Sequence, residues 1–163
     1  MSRCWLIRKT RIETERDLVE YRKAAANYNI VVDPFQIAEF DEVEEAFAKL
    51  KQSGCDGVVL SVAAIFGIMR KEIADAALSA RIPLIGNNPL YVPDGALLAY
   101  GPLIRDCFAI TAKYVKRVLG GERALPVEQP TKFEMAVNLK TAKAIGIELP
   151  TSIPLRADPA ACR

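Results

Sequence analysis

Three short stretches of this sequence hold side chains suited to gripping a small molecule: Ser61 to Ala64, Gly86 to Tyr91 and Tyr100 to Pro102. Ser61 offers a hydroxyl and neighbouring amides at a helix start, which suits an anionic group such as a carboxylate. Asn87 and Asn88 carry amides that both donate and accept hydrogen bonds. Tyr91 and Tyr100 have ring faces that can stack on an aromatic ligand and hydroxyls that can orient it. Each residue also has a purely structural reading. The structural readings are a helix cap for Ser61, turn chemistry for Asn87-Asn88-Pro89, and loop packing for Tyr91. Catalysis has far less to work with. The chain contains no histidine, which removes Ser–His and Cys–His nucleophile activation, histidine general bases and most zinc sites.

These loops become neighbours only if the chain folds as alternating strands and helices. Arg3 to Arg8 alternates as a first strand, with Trp5 and Ile7 on one face and Cys4 and Leu6 on the other. A helix over Ile12 to Tyr28 follows, its stripe formed by Leu18, Val19, the Arg22 stem, Ala25 and Ala26. Ile30 to Ile37 is a second strand, and Pro34 within it belongs at a sheet edge because proline cannot donate to a ladder. Asp41 caps the next helix with Glu44 at N3, burying Val43, Ala46, Phe47 and Leu50. Gly57 to Ser61 is a short apolar run, as in a central parallel strand. A long helix over Ala64 to Ala80 carries Ile65, Ile68, Ile73, Ala76 and Ala77. Ile82 to Gly86 and Ala96 to Tyr100 are the fourth and fifth strands. A last helix, Ile104 to Leu119, is expected to bury Phe108, Ala112, Val115 and Leu119 and to stop at Gly120-Gly121.

This pattern predicts an α/β fold with an open, mostly parallel sheet of about five strands flanked by helices, in the order 2-1-3-4-5. In such sheets ligands bind outside the carboxyl ends of the strands. The three stretches above sit there, together with a fourth loop, Lys9 to Arg11.

Composition excludes several partners. A net charge of +2 over 163 residues is too small to argue for nucleic acid or an anionic membrane. The densest basic stretch, Lys113 with Lys116 and Arg117, has the spacing of a solvated helix face. Asp41, Glu42, Glu44 and Glu45 open a helix, where acidic residues complement the macrodipole, and no metal site is expected of them. Neither GxGxxG nor a P-loop occurs, so no cofactor is expected. A receiver domain needs a carboxylate where the third strand ends, and Ser61 stands there. The cysteines at 4, 55, 107 and 162 are scattered and read as reduced thiols. No apolar run reaches the roughly 20 residues of a membrane span. The opening residues lack a secretion signal, so the chain as written is expected in the cytoplasm, or in the periplasm if it is a fragment of a longer precursor.

Pro126 to Pro150 reads PVEQPTKFEMAVNLKTAKAIGIELP. Phe133, Met135 and Val137 alternate with Lys132, Glu134 and Asn138 as in a half-buried strand. Asn138 then caps a short helix, Leu139 to Ile145, which Gly146 stops. The wording of this stretch closely resembles the C-terminal segment of ABC transporter substrate-binding proteins, in the family of tryptophan-binding and related aromatic-solute-binding proteins. DEVEEAF, GCDGVVLS and KYVKRVLGG, between Asp41 and Gly121, follow the layout of that family's second lobe.

The resemblance implies a periplasmic-binding-protein-like single lobe over residues 1–125, a strand-helix segment of the same domain over 126–150, and a flexible tail over 151–163. It implies binding of a small aromatic or amino-acid solute without catalysis, and an ABC permease as partner. Tyr100-Gly101-Pro102 matches the family's crossing point between two lobes, which makes Tyr100 and Gly101 ligand-contact candidates. Family members usually have Asn-Pro after the first strand, whereas Arg8, Lys9 and Thr10 stand here, so no ligand contact carries over to that loop. Surface that would face the absent lobe predicts a homodimer, with the 126–150 segment exchanged between copies. The alternatives are a cytoplasmic sensor or interaction module that dimerises through that surface, and a small flavodoxin-like enzyme.

Overall fold

The computed structural model describes residues 2–8, 14–37 and 39–157; the expected Lys9–Arg11 loop and Cys162 lie outside them. Six strands form one sheet: β1 (Ser2–Arg8), β2 (Ile30–Gln36), β3 (Gly57–Leu60), β4 (Leu84–Gly86), β5 (Leu98–Pro102) and β6 (Phe133–Val137). Their order is β2-β1-β3-β4-β5-β6. The first five run parallel in the predicted order, and β6 joins β5 antiparallel, with Tyr100 opposite Met135 and Pro102 opposite Phe133. The five-strand expectation is therefore corrected to a mixed six-stranded sheet. The C-terminal strand lies within the sheet because β5 otherwise leaves a row of backbone donors and acceptors unpaired. Pro34 lies in β2, which is an edge strand as its missing N–H requires.

Helices cover both faces. α1 (Thr14–Ala26) packs Leu18 and Ala25 with Tyr21 over Leu6 and Val32. The predicted stripe is shifted, since Val19 and Ala26 are exposed and Tyr21 takes their place. A face built on Leu18, Tyr21 and Ala25 keeps helical spacing and gains a ring. On the other face α2 (Val43–Gln52) buries Val43, Ala46, Phe47 and Leu50, the four residues expected. Its start differs: a 3₁₀ turn, Phe40–Glu42, precedes it, and the capping box joins Glu39 to Glu42 rather than Asp41 to Glu44.

The long helix expected over Ala64 to Ala80 is two helices, α3 (Ala64–Ile68) and α4 (Arg70–Ala80), broken at Met69. Gly67 weakens the helix interior, and Arg70 Nη1 takes the Gly67 carbonyl at 2.8 Å. Met69 is drawn wholly into the core, while Ile68, expected to pack, points outward. A short helix not foreseen, α5 (Tyr91–Asp94), follows β4 and is tied to α4 by the Arg70–Asp94 ion pair at 2.5 Å. The main core lies between this layer and the sheet, from Ile7, Val58, Leu60 and Leu84 to Phe47, Phe66, Ile73 and Tyr91.

α6 (Ile104–Leu119) forms where expected but buries none of its residues. Phe108, Ala112, Val115 and Leu119, expected as its buried face, are all exposed. α7 (Leu139–Ile145) begins at Asn138, whose Oδ1 accepts from Thr141 N at 2.9 Å, and ends at Gly146 with φ +78°. Asn138 is buried rather than on a solvated strand face, because its Nδ2 also donates to the Val92 carbonyl at 3.0 Å. The segment Pro126 to Pro150 is thus held in its own chain through β5 and Val92. Residues 152–156, within the stretch expected as a tail, form α8 (Ser152–Arg156), and Ala157 is buried.

Candidate functional site

β3, β4 and β5 are adjacent and parallel, so the loops after them share the carboxyl end of the sheet. Ser61 follows β3 directly. Its backbone is fully used, the N–H donating to the Ile7 carbonyl at 3.0 Å and the carbonyl accepting from Asn87 Nδ2 at 2.9 Å. Its hydroxyl makes no hydrogen bond among the described residues, and the N-cap of α3 is Ala63. The helix-capping reading of Ser61 is therefore not what the fold uses. α3 is a short helix, so the anion-attracting start of a long helix is absent here as well.

The two asparagines act first on each other. Asn88 Nδ2 donates to Asn87 Oδ1 at 2.9 Å, and Asn88 Oδ1 accepts from Leu90 N at 3.0 Å. This is turn chemistry, and it leaves each amide one N–H for another partner. The loop is clamped from the other side by Gly101. A Cβ at that position would stand 1.9 Å from the Asn87 carbonyl oxygen and 3.1 Å from Asn88 Cα. Only glycine lets the loop backbone lie this close to β5, so Gly101 positions the asparagines and offers no side chain of its own.

The two tyrosines part company. Tyr91 is 2% exposed and belongs to the core, pressed onto Gly86, where a Cβ would meet the Tyr91 Cβ at 2.7 Å. Burial pushes its hydroxyl pKa up, with Arg70 nearby opposing the shift. Its ring has no free face. Tyr100 is 58% exposed and lies stacked on Phe133, 5.7 Å between ring centroids and 19° between planes. Phe133 completes an aromatic surface that the sequence alone did not assign, because only the antiparallel register of β6 sets it diagonal to Tyr100. Val62 and Leu90, in the loops after β3 and β4, are also exposed. The strand ends therefore carry two groups of side chains: the half-buried Asn87 and Asn88 amides over a buried Ser61, with Val62 and Leu90 exposed in the same loops, and the exposed Tyr100–Phe133 pair on β5 and β6.

This end of the sheet is open. A groove of about 630 Å³ lies elsewhere, between α2 and α4, with Phe40, Phe47 and Ala76 beneath Asp41, Glu44, Glu72 and Asp75. It has no contact with the strand-end loops and no grouping of their chemistry.

Nucleophiles are not prepared. Cys55 donates to the Gly57 carbonyl at 3.2 Å, and burial pushes its thiol pKa up to about 11. Burial raises the Cys4 thiol as well. A thiol kept protonated is neither a nucleophile nor a metal ligand at neutral pH. Alkylation of Cys55 by iodoacetamide is expected to stay negligible at pH 7.5 in the folded chain and to reach the rate of a free thiol on unfolding; rapid labelling of the native protein would contradict the burial. Among the described residues no group of three or more Cys, Asp or Glu could hold a metal ion. No described helix is long and apolar enough to cross a membrane.

Solved structures share this architecture. An ABC domain in complex with L-Trp from Streptococcus pneumoniae superposes with a TM-score of 0.84 at 18% identity, over 96% of this chain and 55% of that one. A conserved domain protein from Vibrio cholerae gives 0.81 at 20% identity, over 99% and 55%. The ligand-free, open structure of a substrate binding protein with adhesive properties from Clostridium difficile gives 0.65 at 20% identity, over 92% and 52%. At these identities the likeness is one of fold, and the chain spans about half the length of each. No curated protein matches the sequence. The family model for ABC transporter substrate binding proteins matches residues 8–160. With nearly its whole length matched and the fold shared, the chain belongs to the ABC transporter substrate-binding protein family.

Proposed function

We propose that the chain binds a small aromatic or amino-acid solute at the carboxyl ends of β3, β4 and β5, as a non-catalytic component of an ABC import system. The stacked, solvent-facing Tyr100–Phe133 pair carries this reading. A stacked aromatic surface suits the ring of such a solute, and the residual N–H groups of the Asn87–Asn88 loop suit its carboxylate. Ser61 Oγ and the remaining N–H groups of Asn87 and Asn88 supply donors for the carboxylate. Gly101 holds the asparagine loop in place. The likeness to a structure that holds L-Trp supports this solute class. The partner proposed for delivery is an ABC permease, on family membership.

Titration calorimetry with L-tryptophan and indole-3-acetate tests the proposal. Binding is expected, and Tyr100→Ala is expected to weaken it by about tenfold or more, since a ring contact of this kind contributes roughly 1.5 kcal/mol with its burial. Tyr91→Phe is expected to leave affinity unchanged, because that ring lies in the core. No heat with any aromatic amino acid or aromatic acid, from a protein shown to be folded, would remove the solute reading.

A further inference from the structure

We propose that the groove between α2 and α4 is a docking site for a helix of a partner protein, one whose apolar ridge is flanked by Lys and Arg in its C-terminal half. The two helices pack side by side on one face of the sheet. α2 crosses from β2 to β3 and α4 from β3 to β4, all of them parallel strands, so the two helices run in the same direction.

Small side chains create the groove. Ala48 on α2 and Ala76, Ser79 and Ala80 on α4 line it, with Phe47 buried beneath. Neighbouring helix axes pack roughly 8–10 Å apart, and large side chains normally fill the space above their contact. Here the alanines leave a trough of about 630 Å³. It extends from Phe40 to Lys51 along α2 and from Glu72 to Ala80 along α4, about 12–16 Å at the helical rise. That is about two to three helical turns, with the parallel walls into which the ridge of a third helix fits. Phe40 stands at one end with a ring that is 46% exposed.

Charge selects the occupant. Four carboxylates line the groove, Asp41, Glu44, Glu72 and Asp75, against one ammonium, Lys51. Lys71 pairs with Asp75 at 2.9 Å, and Asp41, Glu44 and Glu72 form no ion pair or hydrogen bond among the described residues. Acidic residues near the starts of α2 and α4 complement the helix macrodipoles. That accounts for their sign and not for the apolar trough between them. An apolar floor between acidic walls matches an amphipathic helix with basic flanks.

The charges also set its direction. The carboxylates lie toward the N-terminal ends of α2 and α4, and Lys51 and Ser79 toward the C-terminal ends. A partner helix antiparallel to both puts its C-terminal turns over the carboxylates. Lys and Arg in those turns complement the groove and that helix's own macrodipole together. The reverse orientation needs basic residues at the partner's N-terminus, where they weaken the helix. Neither the strand-end loops nor α6 contributes to the groove, so the proposal stands apart from the solute reading and from whatever covers α6.

Fluorescence anisotropy with two labelled peptides of about 14 residues tests the proposal. Both have the same composition, with leucines at helical spacing; one carries its lysines in the last two turns and the other in the first two. The first is expected to bind in the micromolar range, about fivefold tighter than the second, and to weaken as salt rises from about 0.05 to 0.5 M. Glu44→Gln combined with Glu72→Gln is expected to weaken it by about tenfold. Ala48→Trp, at an exposed position, is expected to fill the trough and abolish peptide binding, with melting temperature, circular dichroism and L-tryptophan calorimetry as in the wild type. Absence of peptide binding up to about 0.5 mM overturns the proposal. So does binding indifferent to lysine position and to these substitutions, which is nonspecific adhesion. Cadaverine binding more tightly than the first peptide, and lost in the same variants, also overturns it, since the groove then takes a small organic cation.

Discussion

Gly101→Ala is expected to lower the melting temperature by about 6–12 °C, the equivalent of roughly 3 kcal/mol in a domain of this size. The added methyl would sit 1.9 Å from the Asn87 carbonyl oxygen and 2.8 Å from the carbon that bears it. Both atoms are backbone, held by the ladder between β4 and β5 and by the bond from Asn87 Nδ2 to the Ser61 carbonyl. Overpacking of a tight site usually costs about 1–3 kcal/mol, and backbone that cannot swing aside puts this case at the upper end. Gly57→Ala is the control. A Cβ there meets only the Pro83 carbonyl oxygen at 3.8 Å, an ordinary contact. It is expected to be neutral or slightly stabilising. Thermal melts in which the two variants behave alike would mean that the β4 loop does not lie on β5. Whatever fraction of Gly101→Ala folds should also bind solute more weakly, because Asn87 and Asn88 must move.

Asn138→Ala carries the second large effect, a loss of about 2–4 kcal/mol. One buried side chain serves two elements here. Oδ1 caps α7 through Thr141 N at 2.9 Å, and Nδ2 satisfies the Val92 carbonyl at 3.0 Å, at the first turn of α5. Loss of the cap accounts for about 1 kcal/mol. The stranded Val92 carbonyl, near a residue that is 1% exposed, accounts for about 1–3 kcal/mol more. Asn138→Ser separates the two parts, since serine keeps the cap and does not reach Val92. Urea denaturation should place it between wild type and Asn138→Ala. If serine matches the wild type, the Val92 bond contributes nothing and the segment from Pro126 to Pro150 is held by β-pairing alone.

Much of the fold was legible because its signals are local. Pro34 reports an edge strand, since a missing N–H has the same consequence wherever the strand lies. Val43, Ala46, Phe47 and Leu50 report the buried face of α2 by helical spacing alone. Asn138 and Gly146 report the two ends of α7. The break at Met69 was not legible. It depends on Arg70 competing for the Gly67 carbonyl and on Met69 finding room in the core. The burial of α6 was misread for a related reason. An amphipathic pattern says that a helix has an apolar face, and it does not say which neighbour the face meets. Tyr114, Arg117 and Asp106 turn that face outward through partners beyond the end of the helix, between Glu122 and Lys132.

The candidate site divides along the same line. The sequence by itself determined that the loops after Ser61, Gly86 and Tyr100 meet at one end of the sheet, because strand-helix alternation and right-handed crossovers leave few other arrangements. It also determined that histidine chemistry is absent, and that the segment from Pro126 to Pro150 carries the wording of a solute-binding family. Tertiary structure decided the roles of the individual residues. It placed Tyr91 in the core and Tyr100 in solvent, although both are tyrosines in predicted strand-end loops. It paired Tyr100 with Phe133 through an antiparallel register that no local pattern encodes. It also made Gly101 a spacer for the asparagine loop. Periodicity and end signals are properties of a few consecutive residues. Ring stacking, close backbone approach and the direction of a helix face depend on which distant segment arrives beside them.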